Sequence, residues 1–171
     1  MAGLVYGQLT AGHETTTALL ATGIKELLTQ RDRWEELCAD PALAPAAVEE
    51  LLRVATPVFA WKRRTRRAAR IGDVEVPEGA NVLLLLGSAN HDPAVFADPE
   101  TLDVGRTDNP HISFGAGVHF CIGAPLARVE LQASFGALLD RTSSLELGGE
   151  PRRRPEFVIH GLADLPVVLT R

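Results

Sequence analysis

Cysteine is scarce: the 171 residues hold two, Cys38 and Cys121, too few for a disulfide framework, which points to a reducing cytoplasm. Long apolar runs are missing too, since no stretch approaches the roughly 18 residues that a membrane-spanning helix needs. The best, Val82 to Leu86, is strand-sized, and the apolar opening segment is interrupted by His13 and Glu14. No basic stretch followed by an apolar run and a small-residue cleavage site marks a secretory signal. Positive charge is not in excess either; a net charge of -5 gives no global pull toward nucleic acid. Repeats and low-complexity tracts are absent. What remains, 46% hydrophobic and 23% charged residues, is the composition of a globular chain and excludes a disordered tail or a collagen-like fibre.

Periodicity predicts a long helix over Gly3–Thr29, with Leu4, Val5, Leu9, Leu19, Leu20, Ile24, Leu27 and Leu28 at its apolar positions. It begins without an N-cap, which suggests that upstream sequence is missing. Arg31–Ala39 reads as a second helix closed by Asp40-Pro41, and Pro45 opens a third that runs to about Val54. Phe59–Thr65, Val74–Val76 and Asn81–Leu86 read as strands separated by turns at Gly72-Asp73 and Pro77-Glu78-Gly79. Asn90 to Pro110 has no period and predicts a long ordered loop. A helix follows over Gly123–Asp140, with Leu126, Val129, Ala133, Leu138 and Leu139 available for a buried stripe, and the tail from Leu145 to Leu169 reads as short strands. The expected fold class is mainly α with small antiparallel β-sheets.

Three segments carry chemistry. In Phe114-Gly-Ala-Gly-Val-His-Phe-Cys-Ile-Gly123, glycines allow a tight loop and a close approach to a bulky ligand. Loop amides and the start of the next helix would stabilise a thiolate at Cys121. So placed, the cysteine reads as a nucleophile, a metal ligand or simply a buried free thiol. In Ala11-Gly-His-Glu-Thr-Thr16, threonines can bond back to the i−4 carbonyl and open the helix locally, leaving room for a small ligand beside Glu14 and Thr15; the alternative is a solvated polar patch. A zinc-protease helix is excluded, because Thr17 stands where the second histidine is required. Glu50-Leu-Leu-Arg53 is an acid–base pair on one helix face, ordinarily worth about 0.2–0.5 kcal/mol and significant only if buried and joined by a further group. The glycines before Cys121 do not make a dinucleotide loop, since no parallel strand–helix–strand unit surrounds them.

In this order, AGHETT, EELLR, LDVGR and FGAGVHFCIG followed by APLARVE, the motifs resemble the C-terminal portion of cytochrome P-450 heme-thiolate monooxygenases of the soluble bacterial type. The likeness runs over essentially the whole chain and implies one region, residues 1–171, lacking the upstream part of the family's domain. It implies heme b (iron protoporphyrin IX) as cofactor, with Cys121 as the thiolate that binds iron. Phe114 would pack near the cysteine, while Gly115, Gly117 and Gly123 would let the loop lie against the porphyrin. His119 and Arg63, or Arg64 if the register is off by one, would meet the heme propionates; the run Lys62 to Arg70 could equally be a solvated basic face.

On the opposite side, Ala11 and Gly12 would line the groove where oxygen sits. Thr15 would hold water or the activated oxygen by hydrogen bonding, and Glu14 would relay protons. Glu50, Arg53 and Arg106 would form a structural triad, and Phe59 would contact substrate. The implied reaction is insertion of one atom of molecular oxygen into a small organic substrate. Electrons would come from a ferredoxin or flavodoxin with its reductase, docking on basic residues that include Arg128. The alternative is a truncated, non-enzymatic fragment that binds heme weakly or serves as an interaction module.

Overall fold

The computed structural model describes residues 2–170. Three helices open the chain: α1 (Ala2–Thr29), α2 (Arg31–Ala39) and α3 (Ala44–Val54). Asp40 ends α2 and turns the chain, its carboxylate accepting the Ala42 N–H at 3.1 Å. Pro45 then sits in the first turn of α3, where its missing N–H costs nothing. This short helix is strongly amphipathic, and Ala47, Val48, Leu51 and Leu52 are all buried.

Among the described residues eight short strands follow, in pairs. β1 (Ala60–Arg64) pairs antiparallel with β4 (Asn81–Leu85), and between them β2 (Ala69–Ile71) pairs with β3 (Val74–Val76). After a single helical turn, α4 (Leu86–Ala89), the chain meanders to the long helix α5 (Ala124–Arg141). The tail repeats the nested arrangement: β5 (Ser144–Leu147) pairs with β8 (Val167–Thr170), and β6 (Arg152–Arg153) with β7 (Leu162–Asp164). Among the described residues no helix is long and apolar enough to cross a membrane.

Leu19, Leu27, Trp34, Leu37, Val48, Leu51, Leu131 and Phe135 meet in one core where α1, α2, α3 and α5 converge. Full burial of a side chain of this kind contributes about 1.5–3 kcal/mol. The buried face of α5 differs from the expected stripe: Leu126, Val129 and Ala133 are exposed, while Ala124, Leu131 and Phe135 point inward and Leu138 and Leu139 are partly buried. The helix is apolar on several faces, so spacing alone does not select the one that Phe135 anchors. The first half of α1 behaves similarly, with Leu4, Val5, Tyr6 and Leu9 exposed and burial beginning at Ala18. β2 and α4 were not expected; both are too short to carry a period.

Candidate functional site

Asn90 to Pro110 is irregular but tied down by a buried charge cluster. Glu50 and Arg53, one turn apart on α3, are both fully buried. Arg53 Nε and Nη2 grip the Glu50 carboxylate at 2.8 Å each. Arg53 Nη1 donates to the carbonyls of Asn90 (2.9 Å) and Pro99 (2.7 Å), and Nη2 also donates to that of Thr101 (2.9 Å). All five guanidinium donors are thereby used. From the meander, Arg106 Nε reaches both Glu50 oxygens (3.2 and 3.1 Å), the Asp103 N–H donates to Oε1 (3.0 Å) and Asn109 Nδ2 to Oε2 (3.1 Å). Burial works to raise the Glu50 pKa, but these donors outweigh it and hold it below the carboxylate's ordinary value. The structure therefore brings Glu50, Arg53 and Arg106 together in the interior, where such a pair is no surface decoration.

Asn90, also fully buried, connects this cluster to the cysteine loop. Its Nδ2 donates to the Arg53 carbonyl (3.3 Å) and to Ser113 Oγ (2.8 Å), and its Oδ1 accepts the Ile112 N–H (2.9 Å). Ser113 Oγ in turn donates to the Leu52 carbonyl at 2.6 Å. The loop that follows turns on Gly115 (φ 73°) and Gly117 (φ 70°), left-handed conformations that a side chain would strain. Gly123 has an ordinary helical φ of -84°, so the backbone makes no such demand there. The Cys121 N–H donates to the Phe114 carbonyl at 2.9 Å, closing the loop three residues before α5 begins.

Cys121 is exposed, which overturns the reading of a buried free thiol. Loop geometry puts it on the surface, and its apolar neighbours Val118, Phe120 and Ile122 are 97%, 53% and 91% exposed. An exposed thiol framed by uncovered apolar side chains fits a broad apolar ligand that carries a thiophilic metal. His119 lies in a short 3-10 turn, Gly117–His119, of the same exposed loop. Arg63 is exposed on β1; its Nη1 donates to the Lys62 carbonyl (3.1 Å), and among the described residues it pairs with no carboxylate. Arg64 instead folds over the turn, donating to the Gly79 carbonyl at 3.2 Å. Among the described residues no hydrogen bond or ion pair links Arg63, His119 and Cys121.

The other wall is α1, which runs unbroken through Ala11–Thr17, so the expected local opening is absent. Thr15 and Thr17 donate to the Ala11 and His13 carbonyls (2.7 and 2.8 Å), adding to helix bonds without displacing them. Ala11 and Gly12 are exposed, and nothing lies within 4 Å of a Cβ placed on Gly12. Glu14 reaches across to Arg154 at 3.1 Å, both side chains about half exposed. Phe59 is partly buried, stacked on His160 at 4.4 Å and edge-on to Phe157 at 6.0 Å.

Arg128, expected among the docking residues, is partly exposed and ion-paired. Its Nε and Nη2 donate to Glu49 Oε1 and Oε2 at 2.7 and 2.8 Å, and its guanidinium lies 4.6 Å from the Phe114 ring centre. Asn90, Ser113, Glu49 and His111 escaped sequence reasoning; the adjacent acids Glu49 and Glu50 on an otherwise apolar helix were the available signal. A buried asparagine in a meander leaves none.

The family model described as cytochrome P450 matches residues 35–160. Cytochrome P450 107B1 of Saccharopolyspora erythraea is 43% identical over 168 residues, covering 96% of this chain and 42% of the relative. The biotin biosynthesis cytochrome P450 of Bacillus subtilis is 42% identical, covering 92% and 40%. Among solved structures, the tirandamycin C-bound P450 monooxygenase TamI superposes with a TM-score of 0.94 at 44% identity, covering 98% of this chain and 43% of that one. P450BioI, in complex with an acyl carrier protein ligated to hexadec-9Z-enoic acid, gives a TM-score of 0.90 at 42% identity, covering 93% and 42%. The chain thus spans less than half the length of each.

Proposed function

The chain belongs to the cytochrome P450 family, and on that premise we propose that residues 1–171 are the heme-binding region of a monooxygenase, with Cys121 as the iron ligand. One observation carries the proposal: an exposed thiol, framed by apolar side chains, on a loop whose shape is set by left-handed glycines and bonds to the protein interior. Heme b held there would supply the chemistry of oxygen activation, in which two electrons and two protons let one atom of molecular oxygen enter an organic substrate while the other leaves as water.

The remaining roles fall to the chain's own side chains. Cys121 binds as thiolate, and the Phe114 carbonyl fixes its backbone. Arg63 and His119 are exposed donors suited to the heme propionates, with Arg64 less available because it is engaged at Gly79. Glu14, hydrogen-bonded to Arg154, passes protons inward when that contact opens, and the Thr15 hydroxyl, on the next residue of α1, receives them. Phe59, steadied by His160 and Phe157, contributes a wall toward substrate. Electrons arrive from a ferredoxin- or flavodoxin-type donor. A cytoplasmic setting suits two exposed free thiols.

A second reading, a chain that binds heme weakly or serves as an interaction module, is favoured by the exposure of Leu4, Tyr6, Leu9, Leu126 and Val129. An absorption spectrum of the purified chain with heme, reduced and exposed to carbon monoxide, separates the two. Monooxygenase chemistry requires a thiolate-type Soret band in the wild type that Cys121→Ala abolishes. An identical spectrum from both proteins would reject Cys121 as ligand.

A further inference from the structure

Beside the buried Glu50 cluster lies a second set of contacts that the proposed reaction leaves unassigned. Glu49 is one residue away on α3 and so points in a different direction, toward α5 and the cysteine loop. Arg128 of α5 forks onto both its oxygens, at 2.7 and 2.8 Å, and His111 Nε2 lies 3.1 Å from Oε2. His111 Nδ1 accepts the Ser113 N–H at 3.3 Å, so Nε2 is the nitrogen that donates to Glu49. Both cationic fork and imidazole then bear on one ring: Arg128 sits 4.6 Å from the Phe114 centroid, and the His111 ring 6.0 Å from it. Phe114 is the residue whose carbonyl accepts the Cys121 N–H.

We propose that Glu49, His111 and Arg128 are positioning residues that grip Phe114 between α3 and α5 and so hold the cysteine loop in its ligand-ready shape before heme arrives. The assignment of the ligand rests on the function proposed above; the grip itself does not. An ordinary surface ion pair would contribute little. This one is bidentate, shared with a histidine whose side chain is 3% exposed, and stacked on an aromatic face. A site held in place before binding spares the ligand the cost of ordering it.

The test compares amide hydrogen exchange across residues 112–121 in the heme-free wild-type chain with Arg128→Met, Glu49→Gln and Arg128→Lys. Losing a charged hydrogen-bonded pair should accelerate loop exchange about 10- to 100-fold in the first two, with exchange in the β1–β4 hairpin unchanged. Arg128→Lys keeps the charge but loses the fork, and should accelerate it by a smaller factor. If the methionine variant fails to fold, the lysine variant carries the same comparison. Added heme should then give these variants a smaller share of thiolate-type carbon monoxide spectrum than the wild type. Unchanged loop exchange, or acceleration of equal size in every element, overturns the proposal. A loosened loop in variants of a chain that never shows the thiolate band would uphold the grip and reject the heme reading. The band in every protein with no loosening would do the reverse.

Discussion

Around Cys121 the side chains are bonded to residues far away in the chain, whereas along the first half of α1 the threonines bond back to their own helix and, among the described residues, only Glu14 reaches elsewhere. Asn90 joins Arg53 to Ser113, Arg106 and Asn109 converge on Glu50, and Arg128 ties α5 to α3. On α1, residues 2–14 are exposed throughout. The cysteine side is thus defined by this chain's own contacts, while the helix that carries Ala11, Gly12, Glu14 and Thr15 keeps its shape by local bonding and leaves its apolar positions uncovered. Chemistry that needs a fixed ligand geometry can be built on the first arrangement alone. Chemistry that needs a dry cavity requires the second to be covered.

The contrast breaks most severely at Arg53. Arg53→Met leaves Glu50 buried and charged, at a cost of about 3–5 kcal/mol, and Arg53→Lys should rescue little because an ammonium cannot span five acceptors. Denaturant unfolding measures this, and a loss under about 1 kcal/mol would refute the internal role given to the cluster. Next is Asn90→Ala, which strands the Ile112 N–H and frees Ser113; about 2–3 kcal/mol should disappear, with Asn90→Asp retaining only part of it.

A smaller effect separates the two walls by pH. Burial works to raise the pKa of Glu49, but hydrogen bonds from His111 and Arg128 prevail and hold it at about 2, below its ordinary value of 4.5. A lowered folded-state pKa means stability that is present above about pH 4.5 and lost as the pH falls toward 2. Thermal melts should therefore decline through that window by on the order of 1–2 kcal/mol, and Glu49→Gln should flatten the decline. Smallest of all, Glu14→Gln or Arg154→Ala should change stability by less than about 1 kcal/mol, since their contact is exposed. A larger loss would show that α1 is not the independent wall described here.

Helices were legible because their periods are long: α2 matches its expected span and α1 and α3 begin one residue early, Pro45 and the Asp40-Pro41 pair marking the boundary. The cysteine loop was legible from glycines that the backbone requires at positions 115 and 117. Burial was harder to read. Leu126 and Leu131 are the same residue type on one helix, and only the tertiary partner decides that one is exposed and the other is not. Arg128 shows the same limit for charge, since nothing in its spacing announces Glu49, 79 residues away, as its partner. Asn90 was invisible because a single amide makes its meaning from partners up to 37 residues distant, at Arg53.

The five bonds of Arg53 also order events in time. Its carbonyl partners lie 37, 46 and 48 residues further along the chain, at Asn90, Pro99 and Thr101. During synthesis α3 therefore emerges with Arg53 already beside Glu50 but with its three carbonyl acceptors yet to be made. The β1–β4 hairpin lies between α3 and the meander, so its closure shortens the loop that must be closed for the meander to reach Arg53. Long-range closure of this kind slows folding, because the chain entropy is lost before the bonds form. The segment that sheathes Arg53 should be among the last to acquire native structure, and the cysteine loop, fastened to it through Asn90, should mature with it.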